Sequence, residues 1–503
     1  MSRIRSQVFQ NKVMTADEAA ALINDGDQIG LSGFTGSGYP KALPGALAQR
    51  IEAEKAAGRQ LRVGLFTGAS TAPECDGVLA ATDGVSFRMP YQSDPKMRQA
   101  INGGVTDYCD IHLSHSGPVV RQGFLGRLDF AIIEVTAITA SGELIPSSSV
   151  GNNNVYLDTA DKVILEVNSW QSEALEGMHD LYYGTLLPPA NGPIPLIEPG
   201  QHIGQPTLRV DPAKVVAVVE TDGTDRNTPF KELDAESQTI AGFYVDFLLN
   251  EVKQGRLPKN LLPLQSGVGN IANAVLSGLL HSDLTHLTSY TEVIQDGMLD
   301  LIDSGKLDIA SATAFSLSPD AAVKMNDNAE HYKRHIVLRP QEISNNPEVI
   351  RRLGVLSCNG MIEADLYGNI NSTHIMGSRM QNGIGGSGDF TRNAYISAFV
   401  SPSTAKGGAI SCIVPMVSHH DHTEHDVMVV VTEQGVADLR GLAPRKRAQA
   451  MIKVAHPTYR PLLEDYVAQA AKTANSAHTP HDLRQALSWH VRMLETGSMV
   501  PSA

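Results

Sequence analysis

The sequence predicts an α/β fold of two tandem domains, each an open, mainly parallel sheet flanked by helices. Three observations predict it. Short runs rich in Val, Ile and Leu alternate with helix-like stretches through most of the 503 residues, and runs that are apolar at every position suit strands buried on both faces. Both halves open alike, with a strand-like run, a glycine-rich turn and a helix. A chain of this length also exceeds what one ordinary hydrophobic core accommodates.

The first strand is expected over Gln28–Gly33, running into the turn Gly33-Phe34-Thr35-Gly36-Ser37-Gly38. Leu43, Leu47 and Ile51 recur every fourth residue and predict a helix over 40–56. Further strands are expected over 62–68, 129–135, 162–167 and 215–220. The segment Gly177–Gly204 breaks this rhythm with Pro188, Pro189, Pro193, Pro195 and Pro199, and Pro206 lies just beyond it. It reads as a long excursion or the approach to a domain junction. Residues 221–229 are polar and turn-rich, which places the boundary between domains 1–226 and 227–503. In the second half a short run over 264–270 ends in Gly267-Val268-Gly269-Asn270. A helix over 271–280 follows, with Ile271, Val275 and Leu279 on one face.

Composition narrows the function classes. Apolar residues at 42% and charged residues at 19% describe a globular protein. A net charge of −14 disfavours nucleic acid and anionic lipid as partners, while a local basic pocket for an anionic substrate remains compatible with it. The basic start Met1–Ser6 leads into Gln10-Asn11-Lys12 and not into an apolar run, so no signal peptide is expected. No stretch approaches the ~18 apolar residues of a membrane span. Cys75, Cys109, Cys358 and Cys412 lie far apart without a Cys-x-x-Cys pair, which reads as reduced thiols in the cytoplasm.

Candidate chemistry sits in glycine loops and in one glutamate. Gly383-Ile384-Gly385-Gly386-Ser387-Gly388 matches G-x-G-x-x-G, yet Asp389-Phe390-Thr391-Arg392-Asn393 is a poor helix opening, so nucleotide binding there is not expected. A tight turn, or backbone N–H groups converging on an oxyanion, fits better. The loop 267–270 places two glycines before a helix N-terminus, where an oxyanion or part of a phosphorylated ligand is favoured; close packing of a strand–helix turn explains it equally well. Glu292, in Leu287-Thr288-Ser289-Tyr290-Thr291-Glu292-Val293-Ile294, lies on a short strand before a helix over 297–302. Carboxylates at such strand ends lie where α/β folds place their active sites, although most are merely solvated. His419-His420-Asp421-His422-Thr423-Glu424-His425 resembles a metal site in composition, but it lacks the His-Glu-x-x-His order and reads as a solvated loop.

Five ordered motifs carry a resemblance that runs essentially from end to end. They are Gly33-Phe-Thr-Gly-Ser-Gly-Tyr-Pro-Lys41, Gln265-Ser-Gly-Val-Gly-Asn270, Tyr290-Thr-Glu-Val-Ile-Gln-Asp-Gly297, Asn382-Gly-Ile-Gly-Gly-Ser-Gly-Asp-Phe390 and Ser401-Pro-Ser-Thr-Ala-Lys-Gly-Gly408. With these the chain resembles the acetyl-CoA hydrolase/transferase family. The resemblance implies two CoA-transferase-type domains, a homodimer, and coenzyme A as a substrate, with no tightly bound cofactor and no metal. It implies transfer of CoA between succinyl-CoA and acetate through intermediates on Glu292. It assigns oxyanion-stabilising N–H groups to Val268 and Gly386, and CoA contacts to Gly267, Val268, Gly269, Asn270, Ile271, Asn382, Gly386 and Lys406. Asn345 matches an asparagine that touches the thioester region, and Arg226 and Glu433 match a charged pair near the carboxylate pocket. An acetyl-CoA hydrolase, a transferase for another short acid and a non-catalytic CoA-binding regulator are the alternatives.

Overall fold

The computed structural model describes residues 2–226 and 233–501. The chain forms two compact units, Met1–Pro229 with His286–Leu353, and Phe230–Thr285 with Gly354–Ala503. The boundary expected at 226/227 falls at the edge of 227–232, which lie outside the described residues.

The first unit is built on a sheet of eight strands. They are β1 (Gln28–Leu31), β2 (Val63–Phe66), β3 (Val85–Met89), β4 (Asp107–Tyr108), β5 (Phe130–Ile138), β6 (Leu144–Pro146), β7 (Lys162–Asn168) and β8 (Val215–Thr221). Their order is β4-β3-β2-β1-β5-β7-β8, all parallel, with β6 antiparallel on β5. All nine residues of β5 are buried, as its place inside a parallel sheet requires, Glu134 and Thr136 among its apolar residues included. The strand order reverses between β1 and β5, and the first glycine loop leaves β1 at this switch point, where open α/β sheets place their ligands. Helix Leu43–Ala56 buries Leu43, Leu47 and Ile51 in the core with Ile29, Leu65 and Ile132. The same unit holds three parallel strands in the order Ile336–Leu338, Leu307–Ala312, Leu287–Tyr290.

The stretch 286–353 belongs to this unit because its polar groups are satisfied there. Phe315 donates its N–H to the Ser148 carbonyl (3.1 Å), and Val150 donates to that of Thr313 (2.8 Å). Arg339, fully buried, pairs with Asp180 and donates to the carbonyls of Pro199 (2.9 Å) and Gln201 (2.6 Å). The proline-rich excursion is thereby fixed although it carries no helix and no strand beyond isolated bridges at His179 and Leu181.

The second unit contains the strands Leu264–Ser266, Leu356–Gly360, Ile396–Val400 and Val429–Thr432 in that order, all parallel, with Gly435–Asp438 added as an antiparallel hairpin. Helices Ala235–Lys253 and Asn270–His281 accompany them. Phe399, Val430, Met451, Tyr459, Leu463 and Trp489 belong to its core. Cys75, Cys358 and Cys412 are buried free thiols, and burial pushes those of Cys358 and Cys412 up to about 12. Among the described residues no helix is long and apolar enough to cross a membrane.

Candidate active site

Glu292 lies at a break in a strand. The run read as one strand over 287–294 is two, Leu287–Tyr290 and Val293–Ile294, and the latter pairs with Ala314–Phe315. The Glu292 carbonyl accepts N–H groups from Thr313 (2.9 Å) and Ala314 (3.3 Å), and Thr291 before it donates to the Ser311 carbonyl (2.9 Å), so the backbone is held through the break. The side chain is half-buried, and Asn345 Nδ2 donates to its Oε1 at 3.0 Å. Asn345 is itself fully buried; its Oδ1 accepts the Ser344 hydroxyl (2.9 Å) and its N–H donates to the Gln341 carbonyl (2.9 Å). The amide is therefore oriented before it meets the carboxylate.

An apolar cluster of Phe34, Ala69, Leu113, Val293 and Ala314, with Tyr91 packed against it, flanks this position. The Tyr91 phenol is pushed up to about 12, chiefly by burial, with the negative charges of Glu292 and Asp110 adding to it. Sequence reading names neither Tyr91 nor this cluster. No spacing signal links residues so far apart in the chain, and only folding brings them beside Glu292.

The first glycine loop is held from below by buried charge. Lys41 Nζ donates to Glu134 (2.7 Å) and Asp225 (2.9 Å), both buried. Asp225 also accepts the Gly38 N–H at 3.0 Å and the Ser148 hydroxyl. Gly38 has a φ of +64°, and a Cβ there would lie 2.2 Å from Ser149 Oγ, so no other residue fits. Arg226 follows Asp225; its N–H donates to Gly36 (3.1 Å), while its exposed side chain pairs with Glu74 at 2.9 Å.

In the second unit, Gly269 turns the chain into helix Asn270–His281 with a φ of +136°, a conformation only glycine takes readily. Gly267 donates its N–H to the Cys358 carbonyl (2.9 Å), Val268 is exposed at the loop tip, and Asn270 and Ile271 open the helix, half-buried. The expected helix over 271–280 thus forms with one residue more at each end.

The third loop corrects an expectation. A helix does follow it, Ser387–Asn393, with Gly386 at its N-cap, Asp389 in its first turn and Phe390 fully buried. The acidic first turn suits the helix dipole and Phe390 anchors the turn to the core, two effects that outweigh the poor local propensity. The preceding elements are a two-residue hairpin, His374–Ile375 with Arg379–Met380, and not a parallel strand, so the loop is no dinucleotide fingerprint. Gly386 is buried, and Asn382 donates to the Ser372 carbonyl at 3.0 Å.

Lys406 is exposed at the edge of an open cleft of about 610 Å³ lined also by Glu236, Thr404, His456 and Thr458. Lys406, Gly407 and Gly408 all have positive φ (50°, 63° and 90°), which turns this loop outward. Such a cation is free to meet an anionic group as a point charge. Glu433 lies in the turn after Val429–Thr432 and accepts the Ser403 N–H (2.8 Å), the Ser403 hydroxyl and the Gln434 amide (3.0 Å). Burial opposes its ionisation, yet these hydrogen bonds prevail and hold it below the usual carboxylate range.

The histidine run is only partly a solvated loop. His420 and His425 are exposed, but His422 is buried. His419 packs against His374 with ring centroids 3.9 Å apart and the rings tilted by 34°. Among the described residues no three His, Cys, Asp or Glu side chains converge as metal ligands.

Comparison with known proteins places the chain in a family. The model of the acetyl-CoA hydrolase/transferase N-terminal domain matches residues 1–220, and that of the C-terminal domain matches 322–467. The succinyl-CoA:acetate CoA-transferase of Clostridium kluyveri is 50% identical over 499 residues, covering 99% of this chain and 92% of that protein. The propanoyl-CoA:succinate CoA transferase of Escherichia coli is 43% identical, covering 97% and 98%. The acetyl-CoA hydrolase of Saccharomyces cerevisiae is 44% identical, covering 99% and 97%. Among solved structures, RipA from Yersinia pestis superposes with a TM-score of 0.71 at 24% identity, covering 92% of this chain and 98% of that one, a likeness of fold alone. The 4-hydroxybutyrate CoA-transferase of Porphyromonas gingivalis does so at 0.63 and 22%, with the same coverage. With both family domains matched and relatives of this identity along nearly its whole length, the chain belongs to the acetyl-CoA hydrolase/transferase family.

Proposed function

We propose that the protein is a CoA-transferase that moves CoA reversibly between succinyl-CoA and acetate through covalent intermediates on Glu292. The observation that carries this reading is the Glu292 carboxyl, half-buried at a strand break beside an apolar cluster and oriented by the Asn345 amide at 3.0 Å. The acid pair follows the Clostridium kluyveri relative.

The chemistry suits a carboxylate. With a reference pKa of about 4.3, glutamate is ionised at neutral pH. A Glu292 oxygen attacks the thioester carbonyl, the C–S bond breaks, and an acyl–glutamyl anhydride and CoA thiolate result. The thiolate then attacks the glutamyl carbonyl, which releases the first acid and leaves a glutamyl–CoA thioester. The incoming carboxylate attacks that thioester, the C–S bond breaks, and a second anhydride and the CoA thiolate result. Thiolate attack on its acyl carbonyl yields the new acyl-CoA and restores Glu292. Each tetrahedral oxyanion needs donors, and the backbone N–H groups of Val268 and Gly386 are the candidates, each worth ~3 kcal/mol. CoA is held by the loop Gly267–Ile271, by Asn382 and by Lys406, whose ammonium meets a phosphate of the cofactor. Arg226 and Glu433 serve the carboxylate pocket.

The yeast relatives named acetyl-CoA hydrolase favour a second reading, in which water takes the place of the acceptor acid. Exclusion of water from the anhydride decides between the two. With acetate and succinyl-CoA, transfer predicts acetyl-CoA formation with little free CoA, and predominant hydrolysis would replace the first reading with the second. Borohydride or hydroxylamine treatment after incubation with acyl-CoA, followed by mass spectrometry, should place the modification on Glu292, and Glu292→Ala should abolish turnover while CoA still binds. An active protein unmodified at Glu292 overturns the mechanism. The homodimer is part of the same reading, and a sedimentation mass of a single 53.9 kDa chain would remove it.

A further inference from the structure

The histidine run 419–425 grips the third glycine loop at both ends. His422 is 3% exposed, and its Nε2 lies 3.1 Å from Ser387 Oγ. Its ring packs against Phe399 with centroids 5.0 Å apart, and its backbone exchanges hydrogen bonds with Ile370 (2.8 and 3.1 Å). Ser387 Oγ donates to the Ile384 carbonyl at 2.9 Å. A hydroxyl has one proton, so with that proton on Ile384 the imidazole must be the donor to Ser387. At the other end, Asp421 accepts the Ser372 N–H (2.6 Å) and the Thr373 hydroxyl (2.9 Å). The Ser372 carbonyl accepts Asn382 Nδ2 (3.0 Å), and Thr373 accepts the Gln381 N–H (2.8 Å).

Between these anchors stand Gly383, Gly385 and Gly386, residues with the widest backbone freedom. Left to themselves they do not hold an N–H in one direction. We propose that His422 is a positioning residue: through Ser387 it locks the turn Ile384–Ser387 and so keeps the Gly386 N–H aimed. It touches no reacting atom. This inference rests on the reading that Gly386 is an oxyanion donor, and it adds a function for a run that the sequence reads as a solvated loop.

His422→Phe keeps the ring against Phe399 and removes the donor. It should lower kcat roughly 10- to 100-fold, a part of the 10²–10³ lost when an oxyanion donor is removed outright, with the KM for acyl-CoA unchanged. His422→Gln, whose amide nitrogen stands in for Nε2–H, should recover most of that loss. Ser387→Ala should fall as far, and the double variant His422→Phe/Ser387→Ala no further than either single, because residues acting through one contact are not additive. A wild-type kcat in His422→Phe, a loss that appears in KM alone, or additive losses in the double variant would each overturn the inference. If His422→Phe fails to fold, as melting and circular dichroism will show, His422→Leu, which also lacks the donor, takes its place beside His422→Gln, since Ser387→Ala alone also removes the bond to Ile384. The rate at which Glu292 acquires CoA from acyl-CoA separates the two levels. No modification of Glu292 in the wild type removes the underlying reading, whereas modification at the wild-type rate in both His422→Phe and Ser387→Ala removes only the role of His422.

Discussion

A carboxylate is a weak nucleophile, and Glu292, proposed in that role, is oriented by its setting. Asn345 is buried, held by Ser344 and Gln341, and presents its amide N–H to Oε1 at 3.0 Å. A hydrogen bond to a charged group is worth about 1.5–3 kcal/mol. Asn345→Ala should therefore lower kcat roughly 10- to 100-fold while CoA affinity persists, and steady-state kinetics with a direct CoA-binding measurement check both halves. An unchanged kcat would show that this bond does not orient the nucleophile. In the sequence Glu292 is one acidic residue near a strand end, and its motif resemblance singles it out. Its contact with Asn345 spans 53 positions and is invisible to any local periodicity.

At the scale of elements, the loop after β1 and the helix that follows it depend on carboxylates from β5 and β7. Helix Leu43–Ala56 has no side-chain cap of its own. Glu166 of β7 takes that place, accepting N–H groups from Lys41, Ala42 (2.9 Å) and Leu43 (3.1 Å). This satisfies orphan donors and sets a negative charge at the positive end of the helix. Glu134 of β5 and Asp225 share the single ammonium of Lys41, and Asn168 and Gln171 donate to Glu134 (2.9 and 3.1 Å). Three carboxylates thus face one lysine. Burial foremost, with Asp225 adding and Lys41 opposing, pushes the Glu134 carboxyl up to about 7. Its folded value lies above its unfolded one, so the native state binds more protons between about pH 4.5 and 7. The stability from this group is therefore fully present below that window and lost as pH rises through it, by on the order of 1 kcal/mol per pH unit. Urea midpoints between pH 5 and 8 should fall more steeply for the wild type than for Glu134→Gln, and parallel curves would refute the assignment. The alternation of strands and helices predicts these elements to within a few residues. What supports the loop is not predicted, because the partners come from strands that meet only in the sheet.

Over the whole molecule, apolar runs and glycine turns alone indicate an α/β protein with parallel sheets. Every strand expected in the first 226 residues is present, because runs dominated by Val, Ile, Leu and Phe bury both faces between two layers, while the few polar side chains in them, such as Glu134 and Glu166, find partners inside. The glycine loops are legible for a related reason, since positive φ and close approach exclude other residues. The single cut at 226/227 is a different matter. Contacts divide the chain at three places, and 286–353 joins the N-terminal residues. Buried Arg339 with Asp180, and Arg352 with the carbonyls of Leu196 and Ile194, carry that assignment.

The histidine run shows the same limit in miniature. Composition alone makes it a metal site or a solvated loop. The fold instead separates its members, leaving His420 and His425 in solvent and burying His422 against Ser387. Local periodicity and backbone permission, both written in the chain, are enough for the strands, the helices and the glycine turns. The ordered motifs added Glu292 as the candidate nucleophile. Which buried polar groups satisfy one another emerges from folding alone: Asn345 with Glu292, Glu166 at a helix start, His422 under a glycine loop. An unpaired polar group inside a protein costs several kcal/mol, so such pairings are strictly enforced; their partners are far apart along the chain, so no short window of sequence contains both.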